Sequence, residues 1–138
     1  MSPVTPGGVS RRILVADDDP DGAETLAVML RSNGHEVRVA GDGPTTLEVA
    51  NDFRPQVVFL DLGMPGMDGF ELIRELRRRG SGNGGSVPAI ALTAYAGEES
   101  RREALAAGFE EHVAKPAEPQ ELLAAVARLV GRRPPPSD

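Results

Sequence analysis

The 138-residue chain contains no cysteine, which excludes both a disulfide framework and a thiolate metal site and is compatible with a reducing cytosol. It has no excess of base: 15 Lys and Arg stand against 21 Asp and Glu, a formal net charge of -6. That balance argues against a nucleic-acid-binding surface and toward protein or small-ion partners. No apolar run approaches the roughly 18 residues of a membrane span. The N-terminal stretch lacks the apolar core of a signal peptide, so the expectation is a soluble, cytoplasmic protein without membrane contact. The length suits one domain with one buried core, two domains would be cramped, and no internal repeat is evident.

What is there is organised around residues 55–70. Val57-Val58-Phe59-Leu60 is a short continuous apolar run of β-branched and aromatic residues, the pattern of a strand buried on both faces of a parallel sheet. Asp61 follows at its C-terminal end, and Gly63, Pro65, Gly66 and Gly69 then force a loop. In open α/β sheets the ligand crevice lies outside the carboxyl ends of the strands, so Asp61 is placed for chemistry. Taken alone it serves equally well as a turn or cap residue, a role aspartate favours.

Four further strands are expected: residues 13–16, ending in Asp17, Asp18 and Asp19; residues 36–40, a weakly alternating edge strand; residues 89–92, ending in Thr93; and residues 111–114, ending in Lys115-Pro116. Between them run helices. Pro20 suits a first turn capped by Asp19, with Ala23, Leu26, Ala27 and Leu30 at helical spacing and a stop at Asn33-Gly34. Residues 44–51 form a short helix with Leu47 and Ala50 inward, and Leu72, Ile73 and Leu76 mark a third. The third closes in Arg77-Arg78-Arg79, read as a solvated helix end rather than a nucleic-acid patch. Residues 98–107, stopped by Gly108, and residues 119–130, with Leu122, Val126 and Leu129 inward, complete the set. Residues 80–86 hold four glycines in seven and are expected to be a mobile loop. Residues 1–10 and the proline-rich residues 132–138 are expected to be disordered arms around a folded domain over 11–131. Strands and helices in alternation make a doubly wound α/β domain.

In such a sheet the strand ends bring Asp17, Asp18, Asp61, Thr93 and Lys115 to one edge. Three crowded carboxylates repel, and burying them unpaired costs several kcal/mol or forces protonation. A divalent hard cation resolves the conflict; Mg²⁺ takes oxygen ligands and keeps waters that phosphate oxygens can replace. Lys115 adds a point cation and Thr93 a hydroxyl donor. Together these describe phosphoryl transfer to a carboxylate nucleophile.

Four pieces in order, Ile13-Leu14-Val15-Ala16-Asp17-Asp18-Asp19, Leu60-Asp61-Leu62-Gly63-Met64-Pro65-Gly66-Met67-Asp68-Gly69, Leu92-Thr93-Ala94 and Ala114-Lys115-Pro116, resemble the response-regulator receiver domain of two-component signalling. The resemblance spans about Arg12 to Gly131, and around Leu92 to Glu99 and Gly108 to His112 it is to receivers of hybrid sensor histidine kinases. It implies a flavodoxin-like, CheY-like sheet of order 2-1-3-4-5 and Mg²⁺, with Mn²⁺ as an alternative, held by Asp18, Asp61, the Gly63 carbonyl and, through water, Asp17. It further implies phosphorylation of Asp61 by a histidine kinase or histidine phosphotransfer protein, Thr93 and Lys115 on the phosphoryl group, and a cis Lys115-Pro116 bond. Output is expected through the fourth helix, fifth strand and fifth helix to a downstream protein or a phosphorylation-linked homodimer, with no direct nucleic-acid contact. The side chains two beyond the aspartate and the threonine, Gly63 and Tyr95, are implied to tune the phosphoryl lifetime.

Other residues carry less. Asp19 reads as a helix cap rather than a ligand, Asp68 as a loop or cap residue, and His35 as a surface loop residue. His112 stands where the family usually has a switching Tyr or Phe, and a solvent-facing histidine without a role is the equal alternative. Ala117 replaces an aromatic often seen after Lys-Pro. Two rival readings stay in view: an aspartyl-phosphate phosphatase, for which the second acid is missing at Gly63 and no cap domain fits, and a pseudo-receiver, which would normally have lost one of the site residues kept here. No output domain fits after Gly131, so the chain reads as a stand-alone receiver or a piece of a larger protein.

Overall fold

Strand and helix alternate along the whole described chain: β1 (Arg12–Ala16), α1 (Pro20–Ser32), β2 (Glu36–Ala40), α2 (Gly43–Phe53), β3 (Val57–Asp61), α3 (Gly69–Arg77), β4 (Ala89–Thr93), α4 (Glu98–Ala107), β5 (Glu111–Ala114) and α5 (Pro119–Gly131). The computed structural model describes residues 10–80, 84–95, 97–115 and 117–131. The expected arms over 1–9 and 132–138, the middle of the glycine-rich loop and the Lys115-Pro116 bond geometry lie outside them. The strands form one parallel sheet in the order β2-β1-β3-β4-β5, as expected. No helix among the described residues is long and apolar enough to cross a membrane.

Side chains alternate across each strand, so an apolar run feeds two cores at once. Ile13, Val15, Val57, Phe59, Ile90 and Leu92 point to the face covered by α1 and α5, where they meet Leu26, Leu30, Leu122 and Val126. Leu14, Ala16, Val58, Leu60, Ala89 and Ala91 point to the opposite face, against Leu72, Ile73 and Leu76 of α3. Each large apolar side chain fully buried in this way contributes about 1.5–3 kcal/mol, and β3, buried at every position, lies at the centre of both layers.

Two helix starts, those of α2 and α3, carry a side-chain cap, and those of α1 and α4 do not. Asp68 accepts the Glu71 N–H at 2.9 Å and caps α3, and Asp42 accepts the Thr45 N–H at 2.8 Å and caps α2. Asp42 therefore starts α2 a residue earlier than expected, and Arg54, in the left-handed region at φ 54°, ends it after Phe53. Asp19 holds the N-cap backbone position of α1, but its side chain accepts no capping hydrogen bond. Pro20 supplies the preset φ for this first turn instead.

The strand register determines the site. Ala16 is level with Leu60, so Asp17 and Asp61 leave the sheet side by side. Asp61 is level with Leu92, which puts Thr93 one residue further out, and Thr93 is level with Ala114, which puts Lys115 one further again. One more backbone hydrogen bond ties each of these ends to a neighbour: Asp17 N–H to Ala40 C=O at 3.0 Å, Leu62 N–H to Leu92 C=O at 2.9 Å and Lys115 N–H to Thr93 C=O at 2.7 Å.

The arginine run is only in part the solvated end expected of it: Arg78 is exposed, but Arg77 is drawn into the fold. Arg77 is half-buried and donates to the carbonyls of Gly108 at 2.7 Å, Val87 at 2.7 Å and Gly85 at 2.9 Å, with Glu110 at 3.0 Å. One guanidinium thus clamps the end of α3 to the segment before β4 and the turn before β5, a task its planar fork suits and an ammonium does not. Arg79 reaches Asn51 of α2 at 2.7 Å. Arg77→Ala, which leaves those carbonyls short of a donor, is expected to cost about 2–4 kcal/mol, read as a lower urea midpoint at unchanged slope. Arg77→Lys should recover less than half of that loss.

Candidate functional site

At the carboxyl edge of the sheet, Asp17, Asp18 and Asp61 each offer an oxygen, and these oxygens lie within 4.8 Å of one another. Asp17 and Asp61 are buried, at 5% and 7% exposure, and Asp18 is exposed. Two buried carboxylates abreast would be untenable without a counter-charge, and the Lys115 ammonium supplies it, 3.3 Å from Asp17 Oδ2 and 3.3 Å from Asp61 Oδ2. Burial raises the Asp17 carboxyl above its ordinary pKa; the Asp19 N–H bonded to it opposes that rise and the Asp61 carboxylate adds to it. Burial alone would depress the Lys115 ammonium, but Asp17 and Asp61 outweigh it and hold its pKa above the ordinary value.

The other oxygens of the acids are held by the backbone. Asp61 Oδ1 accepts the Gly63 N–H at 2.9 Å and Asp17 Oδ1 accepts the Asp19 N–H at 3.0 Å. The Asp19 contribution to the site is thus a backbone donor. Thr93 is buried, and its Oγ1 accepts the Tyr95 N–H at 3.1 Å. An assembly of oxygen donors only, with two acids fixed from behind, fits a hard divalent cation of the Mg²⁺ kind and fits no soft metal.

Gly69 is a site residue the sequence reading treats only as a loop breaker. A Cβ there would stand 2.7 Å from the Asp61 carbonyl oxygen and 2.9 Å from the Leu62 Cα, both backbone atoms that cannot yield. Glycine is needed for that close approach of α3 to the end of β3. The legible signal is its place directly after the cap residue Asp68. At Gly63 the opposite holds: a Cβ would meet only Asp61 Oδ1 at 3.7 Å, ordinary contact, so a side chain is tolerated there and would lie beside the acid.

The remaining expected residues fall further out. The Tyr95 ring is 74% exposed rather than folded over the cleft, so shielding by it requires a rotation of the side chain. His35 is not a bare surface residue: it is half-buried and its Nδ1 accepts the Arg11 N–H at 3.2 Å. His112 is half-buried on β5, not solvent-facing, and its Nε2 is buried without a hydrogen-bond partner among the described residues. Ala117 is half-buried and packs on the α1 and α5 core.

Residues 13–127 match the response regulator receiver domain family. The chain is 43% identical over 89% of its length to an uncharacterized 14.6 kDa protein of Leptolyngbya boryana, of which it covers 92%. It is 42% identical over 86% of its length to the DNA-binding response regulator MtrA of Mycolicibacterium smegmatis, and spans about half of that protein, 50%. Among solved structures it resembles the receiver domain of the sensor histidine kinase PA1611 from Pseudomonas aeruginosa, which has a magnesium ion coordinated in its active site cleft. That match has a TM-score of 0.79 and 34% identity, and covers 89% of this chain and 99% of that one.

Burial lowers the pKa of His112 below its ordinary 6.5, with Arg101 adding to the effect, and lowers that of His35, with Arg11 adding. A histidine depressed in the fold contributes stability that is present above 6.5. It is lost as the pH falls toward the lower folded value, because the unfolded chain takes up the proton first. The melting temperature is therefore expected to drop between about pH 7 and pH 5, and His112→Gln should flatten part of that slope in a thermal denaturation series. An unchanged slope would remove His112 from the account.

Proposed function

The chain belongs to the response regulator receiver domain family, and from that premise we propose that it accepts a phosphoryl group on Asp61 and reports the change through a protein-binding face. The observation that carries the reading is the single ammonium of Lys115 at 3.3 Å from both Asp17 and Asp61, at a strand edge where three carboxylate oxygens converge. One ammonium against three carboxylates leaves the edge net negative, as a divalent cation needs, with the Thr93 hydroxyl one residue further along the next strand.

In this reading a carboxylate oxygen of Asp61 attacks the phosphorus of a phosphohistidine on a histidine kinase or phosphotransfer protein. An oxygen–phosphorus bond forms, the nitrogen–phosphorus bond breaks, and the departing imidazole takes a proton from solvent. Asp17, Asp18, Asp61 and the Gly63 carbonyl would hold Mg²⁺, or Mn²⁺ in its place, which when bound supplies positive charge against the phosphoryl oxygens. Lys115 is drawn from Asp17 and Asp61 toward the new phosphoryl charge, and the Thr93 hydroxyl donates to it. Both movements pull on β4, β5 and the start of α4, which is why α4, β5 and α5 are read as the face that meets a downstream protein or a second copy. His112, at mid-face, is read as part of the switch. The chemistry stops at the chain's own Asp61, which makes this a signalling module rather than an enzyme acting on other substrates.

The test is the mass of the intact chain after incubation with acetyl phosphate and Mg²⁺. One added phosphoryl group is expected, lost with a chelator and absent in Asp61→Asn; retention of acid-labile phosphate at full stoichiometry in that variant would refute the assignment.

Lifetime supplies a second test. Hydrolysis needs a water in line with the breaking oxygen–phosphorus bond, and Gly63, next to Asp61, has no side chain to orient one. Slow loss of phosphate is expected. Gly63→Asn, for which the backbone leaves room, should hasten decay about tenfold after donor removal, and no acceleration would sink the idea.

A further inference from the structure

On the α1 and α5 side of the sheet's carboxyl edge lies a cavity of about 510 Å³ that shares only Asp17 and Lys115 with the acidic site. Its floor is apolar: Leu26 and Met29 from α1, Leu92 from the end of β4, Leu122 from α5, and Ala117 where the chain leads from β5 into α5. Its rim is acidic. Asp19 and Asp21, from the start of α1, line it on one side, and its inner end meets Asp17 and Lys115.

The charges on that rim are unequal in their engagement. Asp17 is paired with Lys115 at 3.3 Å, whereas Asp19 and Asp21 have no cationic partner among the described residues. The Asp19 side chain does not cap α1 either. The volume is in the range of small-molecule sites, about 300–1,000 Å³, and such sites are apolar hollows with a few polar groups at defined places. Ala117 contributes only a methyl group to the lining, so a larger side chain there would take up part of the volume. Met29, unbranched and half-buried, is suited to adapt to an occupant's shape.

We propose that this cavity binds a small amphipathic organic cation, with an ammonium or amidinium between Asp19 and Asp21 and an alkyl or aryl body on Leu26, Met29 and Leu122. Charge complementarity selects the class: an anion of the same shape meets two unpaired carboxylates, and a neutral molecule forfeits the attraction. The inference goes beyond the relay reading and is independent of it, because binding needs neither phosphoryl donor nor Mg²⁺.

Phenylbutylamine, titrated into the full chain and followed by the methyl NMR signals of Met29, Leu26 and Leu122, tests this. Saturable shifts confined to the cavity are expected, with phenylbutyrate binding about tenfold more weakly. Asp19→Asn combined with Asp21→Asn, both at exposed positions, should weaken the amine about fivefold, and Ala117→Phe should abolish its binding. If Ala117→Phe fails to fold, Ala117→Leu and the aspartate pair decide. Shifts spread over the whole chain, equal affinity for amine and acid, unchanged affinity in the variants, or shifts that follow protein concentration alone, as when a second copy fills the hollow, would each overturn the proposal.

Discussion

The Lys115 ammonium between Asp17 and Asp61 is the interaction on which the rest of the structure depends. A parallel sheet covered on both faces hides everything except its two edges, and at the carboxyl edge this chain places acids on adjacent strands. Without a shared cation the two buried carboxylates would either push the strand ends apart or take up a proton. A lysine is suited to this as an arginine is not: its charge is compact, its donors rotate, and its stem reaches back across two strands from β5.

The sheet behind it is built to keep that edge in register. β1, β3 and β4 contribute to both cores with almost no exposed position, so a slip of one residue would put every apolar side chain on the wrong face. The stagger from Asp61 to Thr93 to Lys115 is therefore secured by the burial of Val57, Phe59, Ile90 and Val113 in the strands behind it. Gly69 does the equivalent for the loop, allowing α3 to start against the Asp61 carbonyl.

Most of this was legible in the sequence for a physical reason: apolar runs of strand length bounded by turn residues have few alternative uses, and the residues just past them must converge. The strands and helices lie where the periodicity puts them, with ends shifted by a residue or two. What could not be read is interaction at long sequence separation. Arg77 looks like any cation in a last helical turn; that it binds the carbonyl of Gly108 depends on β4 and β5 returning beside it. His35 depends in the same way on the chain arriving at Arg11. The hollow over Ala117 is a property of volumes on three elements, which no motif encodes.

Anchoring is uneven across the fold, and the unevenness has a direction. α1, α3 and α5 each bury several apolar side chains, while α4 buries only Ala104 and presents charged residues along most of its length. Its start, at Gly97, has no side-chain cap. Its end is held by the Gly108 turn, whose carbonyl accepts two hydrogen bonds from Arg77. A helix held firmly at one end and weakly along its body moves most at the other end, here the one that follows Thr93 and Tyr95. Local motion is least costly where few apolar contacts must be broken. A change at the carboxyl edge of the sheet large enough to redirect Thr93 would therefore be expressed at the start of α4 before it disturbed either core.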